Sequence, residues 1–119
     1  MRSGCARWRR RCAAERMGYE YDALPDDPAA YRRRRAQLIE AAAGLPSVCR
    51  RVGERELWLR DPAGPAEGWD EAQLVFGDDC VRLACMTPLS AAVRADLRAL
   101  PQLLGGARFV DDDGEAAAF

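Results

Sequence analysis

Six segments of the chain alternate apolar and polar residues with the period of two that is typical of β-strands. They span residues 17–24, 47–52, 55–61, 72–76, 80–86 and 107–110. The third segment places Leu57 and Leu59 on one face and Glu56, Trp58 and Arg60 on the other. Glycines in the short gaps at 53–54 and 77–79 predict two antiparallel hairpins.

Two further segments have the helical period of 3.6 residues. The first spans 28–43, with Asp27 as N-cap and Gly44 as a left-handed C-cap. The second begins after Thr87, which we expect to cap it, and Pro101 kinks or ends it. The apolar stripes are Tyr31, Leu38, Ile39 and Ala42 in the first helix, and Leu89, Val93, Leu97 and Leu100 in the second.

The order of these elements predicts an α+β fold. Sequential hairpins indicate a mainly antiparallel sheet of about five to six strands, and two amphipathic helices indicate that one of its faces is covered. The predicted architecture is a two-layer sandwich that forms a single domain over residues 17–119, with a frayed tail at 116–119.

Residues 1–16 differ in composition from the rest of the chain. They contain six arginines against one acidic residue, whereas the remainder contains twelve arginines against eighteen acidic residues. We expect this segment to be a disordered extension, with translation starting at Met17. The alternative is a basic arm that binds nucleic acid by releasing counterions, and elsewhere the chain is not expected to bind nucleic acid.

The chain contains no His and no Lys, and all 18 basic residues are Arg. This bias is typical of GC-rich coding and hence of a small bacterial protein. Without an imidazole, the hydroxyls of Ser3, Ser47, Thr87 and Ser90 have no usual activating base. Phosphate-binding glycine motifs are also absent. The sequence therefore favours a protein that is not an enzyme, with no catalytic residues and no cofactor.

Five cysteines are not arranged as metal ligands. No CxxC pair exists, and Cys80 and Cys85 are five residues apart, so on a strand they point to opposite faces. We expect no metal site and reduced thiols in a cytoplasmic protein. No apolar run approaches the roughly 18 residues of a membrane-spanning helix, so no membrane partner is expected.

Arginines 32–35 form the main basic run outside the extension. Successive helical residues point about 100° apart, so the run is expected to spread around a solvated helix. Contact with an anion and pairing with nearby carboxylates are the alternatives.

The candidate binding residues come from two patterns. Acidic residues gather at the predicted turns. Local hydrogen bonding in turns explains this distribution. The alternative is that these residues form a docking surface for a basic protein partner. Trp58, which is flanked by charged residues on the uncovered sheet face, suits an interface anchor. The alternative is that the long loop at 62–69 and its Trp69 cover it. The candidates are Trp58, Arg60, Trp69, Asp78, Asp79, Asp111, Asp112 and Asp113.

An acidic α+β sandwich that ends in the segment FVDDDGE (109–115) resembles the small bacterial immunity proteins that neutralise toxins. The resemblance covers residues 17–115 and implies stoichiometric inhibition of a toxin domain by acidic loops. We therefore expect a non-catalytic protein-binding module, an immunity or inhibitor protein. A dimeric secretion chaperone and a small-ligand-binding regulatory domain are the alternatives, and the oligomeric state stays open.

Overall fold

The computed structural model describes residues 19–65 and 68–119, so the expectations for residues 1–16 lie outside the described residues. Its elements confirm the α+β class. They are β1 (Tyr19–Pro25), α1 (Pro28–Ala43), β2 (Val48–Val52), β3 (Glu56–Leu59), β4 (Ala72–Phe76), β5 (Val81–Cys85), α2 (Ala91–Leu103), β6 (Ala107–Val110) and β7 (Ala116–Ala117).

The seven strands form one antiparallel sheet in the order β2-β3-β4-β5-β1-β6-β7. Both predicted hairpins are present, and α1 carries the chain from β1 to the edge strand β2. The first strand is central because Asp22 is paired with Arg82 of β5 on one side and with Val110 of β6 on the other. The turns at 26–27, 53–55 and 77–80 share one end of the sheet, here called the upper end. The 60–71 loop and the 111–115 turn share the lower end.

The main hydrophobic core lies between the helices and one face of the sheet. The predicted stripe of α1 is confirmed, since its buried residues are Tyr31, Leu38, Ile39 and Ala42. Leu57, Leu59, Leu74 and Phe76 have no solvent exposure, as the strand alternation predicts. The buried phenol of Tyr31 donates to the backbone oxygen of Gly77 at 2.7 Å, which joins α1 to the second hairpin turn.

The helix ends are only partly as predicted. Asp27 caps α1 by accepting from the Ala30 N–H at 3.1 Å. Gly44, however, has a φ of −85°, so the left-handed cap is wrong; one more right-handed turn satisfies the last carbonyls. Ser90, not Thr87, caps α2, because Glu71 accepts the Ser90 N–H at 2.6 Å and sets the helix start there. Pro101 lies inside the last turn.

The tail at 116–119 is not frayed, and this correction accounts for the seventh strand. Gly114 adopts a φ of +82°, which reverses the chain after β6. Ala116 then pairs with Val110, and Ala117 with Phe109. This hairpin brings Phe119 onto the core.

Candidate protein-binding surface

The face of the sheet opposite the helices is divided into two halves. On the β1 and β6 side it holds a second buried cluster of Leu24, Cys80 and Val110. On the β2 to β4 side, the register places Arg50 opposite Trp58, and Trp58 opposite Gln73. These residues are exposed or half-buried. We call this side, which neither of the two described helices covers, the helix-free face; its accessible part is therefore centred on Trp58.

Trp58 is held in one orientation by its strand neighbours. The guanidinium carbon of Arg50 lies 4.9 Å from the centre of the indole ring, a cation–π geometry. The indole Nε1 donates to Glu56 Oε2 at 2.5 Å. The side chain is thus neither fully exposed nor covered, and its orientation is set before any partner arrives.

Asp70 links Arg50 to the long loop. Arg50 Nη2 donates to Asp70 Oδ2 at 2.6 Å, and Cys49 Sγ donates to Asp70 Oδ1 at 3.4 Å. Partial burial alone would raise the pKa of Asp70, but the bonds from Arg50 and Cys49 and the nearby charges of Arg50 and Arg60 lower it. Asp70 is therefore ionised at neutral pH and fixes Arg50 over Trp58.

Trp69, the residue before Asp70, is 85% exposed. It does not shield Trp58 as the loop-cover alternative required. Arg60 Nη1 donates to the Gly68 oxygen at 2.7 Å, so Arg60 helps to position the end of the loop that carries Trp69.

We call the set of five side chains formed by Arg50, Glu56, Trp58, Trp69 and Asp70 the Trp58 patch. Arg50 lies opposite Trp58 because the turn spans three residues, 53–55, whereas the two-residue turn predicted at 53–54 would have placed Cys49 there.

Removal of the Asp70 charge tests the geometry of the patch. Asp70→Asn should lower the free energy of unfolding by about 0.5–1 kcal/mol at pH 7, because the ion pair with Arg50 is partly exposed. The folded-state pKa is depressed below the ordinary 3.8, so this contribution is complete above that value and is lost as the pH falls through the folded pKa. Urea unfolding of both proteins across pH measures the difference.

Asp113→Asn is the matched control, since Asp113 is an exposed turn aspartate. Asp113→Asn should leave the free energy of unfolding unchanged at both neutral and acidic pH. A constant gap between the Asp70→Asn variant and the unmodified protein from pH 7 to strongly acidic pH would contradict the proposed ion pair.

The acidic residues at the upper end have intramolecular partners. Asp79 pairs with Arg32 at 2.7 Å, while Asp78 pairs with Arg35 at 3.1 Å and with Arg55 at 3.2 Å. Pairing with nearby carboxylates, one of the alternatives for the run at 32–35, is thus present for two of its members. The upper end is not the uniformly negative surface that the sequence suggested, because arginines from α1 and the first hairpin compensate it.

The acidic turn after β6 is built mainly by its own hydrogen bonds. Asp111 Oδ1 accepts from the Asp113 N–H at 2.9 Å and from the Glu115 N–H at 3.0 Å. Asp111 and Asp112 are half-buried, while Asp113 and Glu115 are exposed. Four strand spacings, roughly 19 Å, separate this turn from β3. The structure thus links the Trp58 hairpin to the end of the loop that carries Trp69 through the Arg50–Asp70 pair, and it places the acidic candidates elsewhere.

The strand alternation of β5 places Arg82 on the same face of the sheet as Trp58. It lies on the helix-free face but is only 6% exposed, and it pairs with Glu20 of β1. Asp22, also on this face, is 2% exposed. Sequence alternation assigns the face correctly, but it carries no information on burial there.

The thiols are poorly suited to nucleophilic chemistry. Partial burial and the adjacent Asp70 raise the pKa of Cys49, and burial raises that of Cys85 to about 11, so both are thiols at neutral pH. Cys80 is disulfide-bonded, which differs from the expectation of reduced thiols. Residues 19–65 and 68–119 contain no group of three His, Cys, Asp or Glu side chains that could hold a metal ion.

No helix within the described ranges combines the length and apolar character needed to cross a bilayer. Comparison of the chain with known protein families, with curated proteins and with solved structures finds no match.

Proposed function

We propose that this chain is a non-catalytic protein-binding module that binds a protein partner through the Trp58 patch. The observation that carries the proposal is the 85% exposure of Trp69 next to Asp70, the carboxylate that holds Arg50 over the half-buried Trp58. Tryptophan and arginine are the residue types that most often dominate binding energy at interfaces. Two tryptophans and a fixed arginine on one accessible surface match that composition.

The contacts within the patch support binding with little loss of side-chain freedom. Arg50 is held between the Trp58 ring and Asp70, and the Trp58 indole is held by Glu56. Ordering such side chains on association normally costs about 0.5–1.5 kcal/mol each. Because these are already ordered, a larger share of the contact energy appears as affinity.

The chain has a net charge of −1, and the acidic excess that favours a basic partner lies from residue 17 onward. From residue 17 onward it carries twelve arginines and eighteen acidic residues. At the upper end, the three arginines 32, 35 and 55 compensate Asp78 and Asp79, while Asp113 and Glu115 at the lower end remain exposed. An acidic protein accelerates the association of a basic one by electrostatic steering. A stoichiometric inhibitor of a basic toxin domain, the function implied by the immunity-protein resemblance, would use these properties.

Affinity capture with three baits tests the proposal. The unmodified chain, Trp69→Ala and Tyr19→Ala are immobilised and exposed to lysate of the source organism, and retained proteins are quantified by mass spectrometry. Tyr19, which is 70% exposed and lies on β1, controls for the loss of an exposed aromatic side chain. Neither substitution removes a buried contact, so both variants should fold.

We expect one basic protein in stoichiometric amount on the unmodified and Tyr19→Ala baits. Trp69→Ala should weaken its binding about 30-fold, the effect of losing an interface anchor worth about 2 kcal/mol. Calorimetry with the purified partner gives the dissociation constants. The proposal fails if no protein is specifically retained, or if Trp69→Ala binds the partner as tightly as the unmodified chain.

A further inference from the structure

A groove of about 400 Å³ lies at the lower end of the sheet on the helix side, away from the Trp58 patch. We call it the Tyr21 groove. Its volume falls in the range of small-molecule sites, which is about 300–1,000 Å³. The residues that matter for the argument are Tyr21, Cys85, Met86, Leu89, Arg94 and Phe119.

The walls of the groove are apolar and well supported. The Phe119 ring packs edge-on against Tyr21, with centroids 5.1 Å apart, and against Phe109, with centroids 4.9 Å apart. Tyr19 of β1 pairs with Cys85 of β5, and this register places the buried Cys85 thiol next to the β1 end of the groove. Packing from β1, β6 and the C-terminal hairpin therefore holds the groove open in a defined shape.

Apolar surface at the rim is accessible to solvent. Met86 is 41% exposed and Tyr19 is 70% exposed, and both line the groove. These are two of the four large hydrophobic side chains that are exposed among the described residues. Their position at the mouth of the groove gives an incoming apolar group a surface from which to displace water.

Arg94 is the only ionised side chain among the residues that line the groove. Its Nε donates to the Leu89 oxygen at 3.3 Å, and its two Nη groups make no hydrogen bond to any described residue. Arg94 and Cys85 line the same groove, and the positive charge of Arg94 lowers the pKa of Cys85, although burial outweighs it. Asp111 and Asp112 are close enough to act on Tyr21 but do not line the groove.

We propose that the Tyr21 groove binds a small amphipathic carboxylate. Its aromatic or branched aliphatic body would lie against Phe119, Met86 and Leu89, and its carboxylate would pair with the free Nη groups of Arg94. The Arg94 charge favours this ligand class, because a guanidinium presents two parallel donors that match a carboxylate. The Phe119 oxygen at the groove is already paired, since it accepts from Arg98 Nη1 at 2.5 Å. The volume is ample for a ligand of about ten heavy atoms. This site is independent of the proposed protein-binding function.

Titration of the ¹⁵N-labelled full chain, followed by NMR, tests the proposal with named probes. Phenylacetate and 4-methylpentanoate supply an apolar body and a carboxylate, phenylacetamide lacks the charge, and acetate lacks the apolar body. Arg94→Gln removes the cation. Arg33→Gln is the matched control, since Arg33 is an exposed arginine on α1.

We expect saturable shifts at the amides of Tyr21, Leu89 and Phe119 with both amphipathic acids, with a dissociation constant on the order of 1 mM for ligands of this size. Arg94→Gln and the use of phenylacetamide should each weaken binding about tenfold or more, as expected for a hydrogen bond between charged groups. Acetate should not saturate. Arg33→Gln and Trp69→Ala should leave the affinity unchanged.

The proposal is overturned if neither amphipathic acid saturates the amide shifts by about 10 mM, a concentration well above the expected dissociation constant. Equal affinity of Arg94→Gln for phenylacetate would overturn it as well. Because Trp69 takes no part in this groove, a negative result here leaves the capture experiment on the Trp58 patch unaffected, and the reverse is also true.

Discussion

Replacement of Phe76 by alanine should lower the free energy of unfolding by about 3–5 kcal/mol. Phe76 is fully buried and faces the helices from β4, paired with the equally buried Val81. Truncation removes the transfer energy of the ring and leaves a cavity that a rigid sheet cannot close. Domains of this size are stable by about 5–15 kcal/mol, so the loss should be obvious in a urea unfolding curve.

Val75→Ala is the matched control for this prediction. Val75 is the preceding residue of β4, so its side chain points to the helix-free face, where it is half-buried. It should cost about 1 kcal/mol or less. A loss for Val75→Ala that equals or exceeds the loss for Phe76→Ala would mean that the assignment of the two sheet faces is wrong.

Asp96→Ala should lower the free energy of unfolding by about 1–3 kcal/mol, which is the second-largest effect on stability that we expect. Asp96 is 8% exposed on α2, and its Oδ2 accepts from the Ser47 N–H at 2.7 Å. Ser47 is itself 1% exposed, so truncation leaves a buried N–H without its acceptor. The bond ties α2 to the connection between α1 and β2.

Asp96→Asn separates hydrogen bonding from packing, because the amide oxygen can still accept from Ser47. It should lose less stability than Asp96→Ala. Amide hydrogen exchange should also show Ser47 and its neighbours opening more readily in the alanine variant. Equal stability of Asp96→Ala and the unmodified protein would show that the bond makes no net contribution.

The two proposed sites rest on different physical features. The Trp58 patch is made by one strand, its edge neighbour and the end of a loop, and its order comes from an ion pair and a cation–π contact. The Tyr21 groove is made by segments far apart in the chain and is mostly apolar. A protein partner at the first site and a small acid at the second could therefore bind together.

Local patterns in the sequence were sufficient for most elements. The alternation of Leu57 and Leu59 with Trp58 sets the strand and its faces, because successive side chains of a strand must point to opposite sides. The stripe from Tyr31 to Ala42 sets the buried side of α1 for the same kind of geometric reason. The candidate Trp58 followed directly from this periodicity.

Contacts between distant segments decided the rest. The position of β1 between β5 and β6, the helix start at Ser90 and the ion pairs of Asp78 and Asp79 all join residues remote in sequence. The amino-acid sequence by itself determined six of the seven strands, both helices and the side chains that α1 and β3 turn to the core, since these depend on neighbours a few residues away. Only the tertiary structure decided which acids are neutralised, that Trp69 stays exposed and that a groove opens beside Arg94, because each depends on what folding brings alongside.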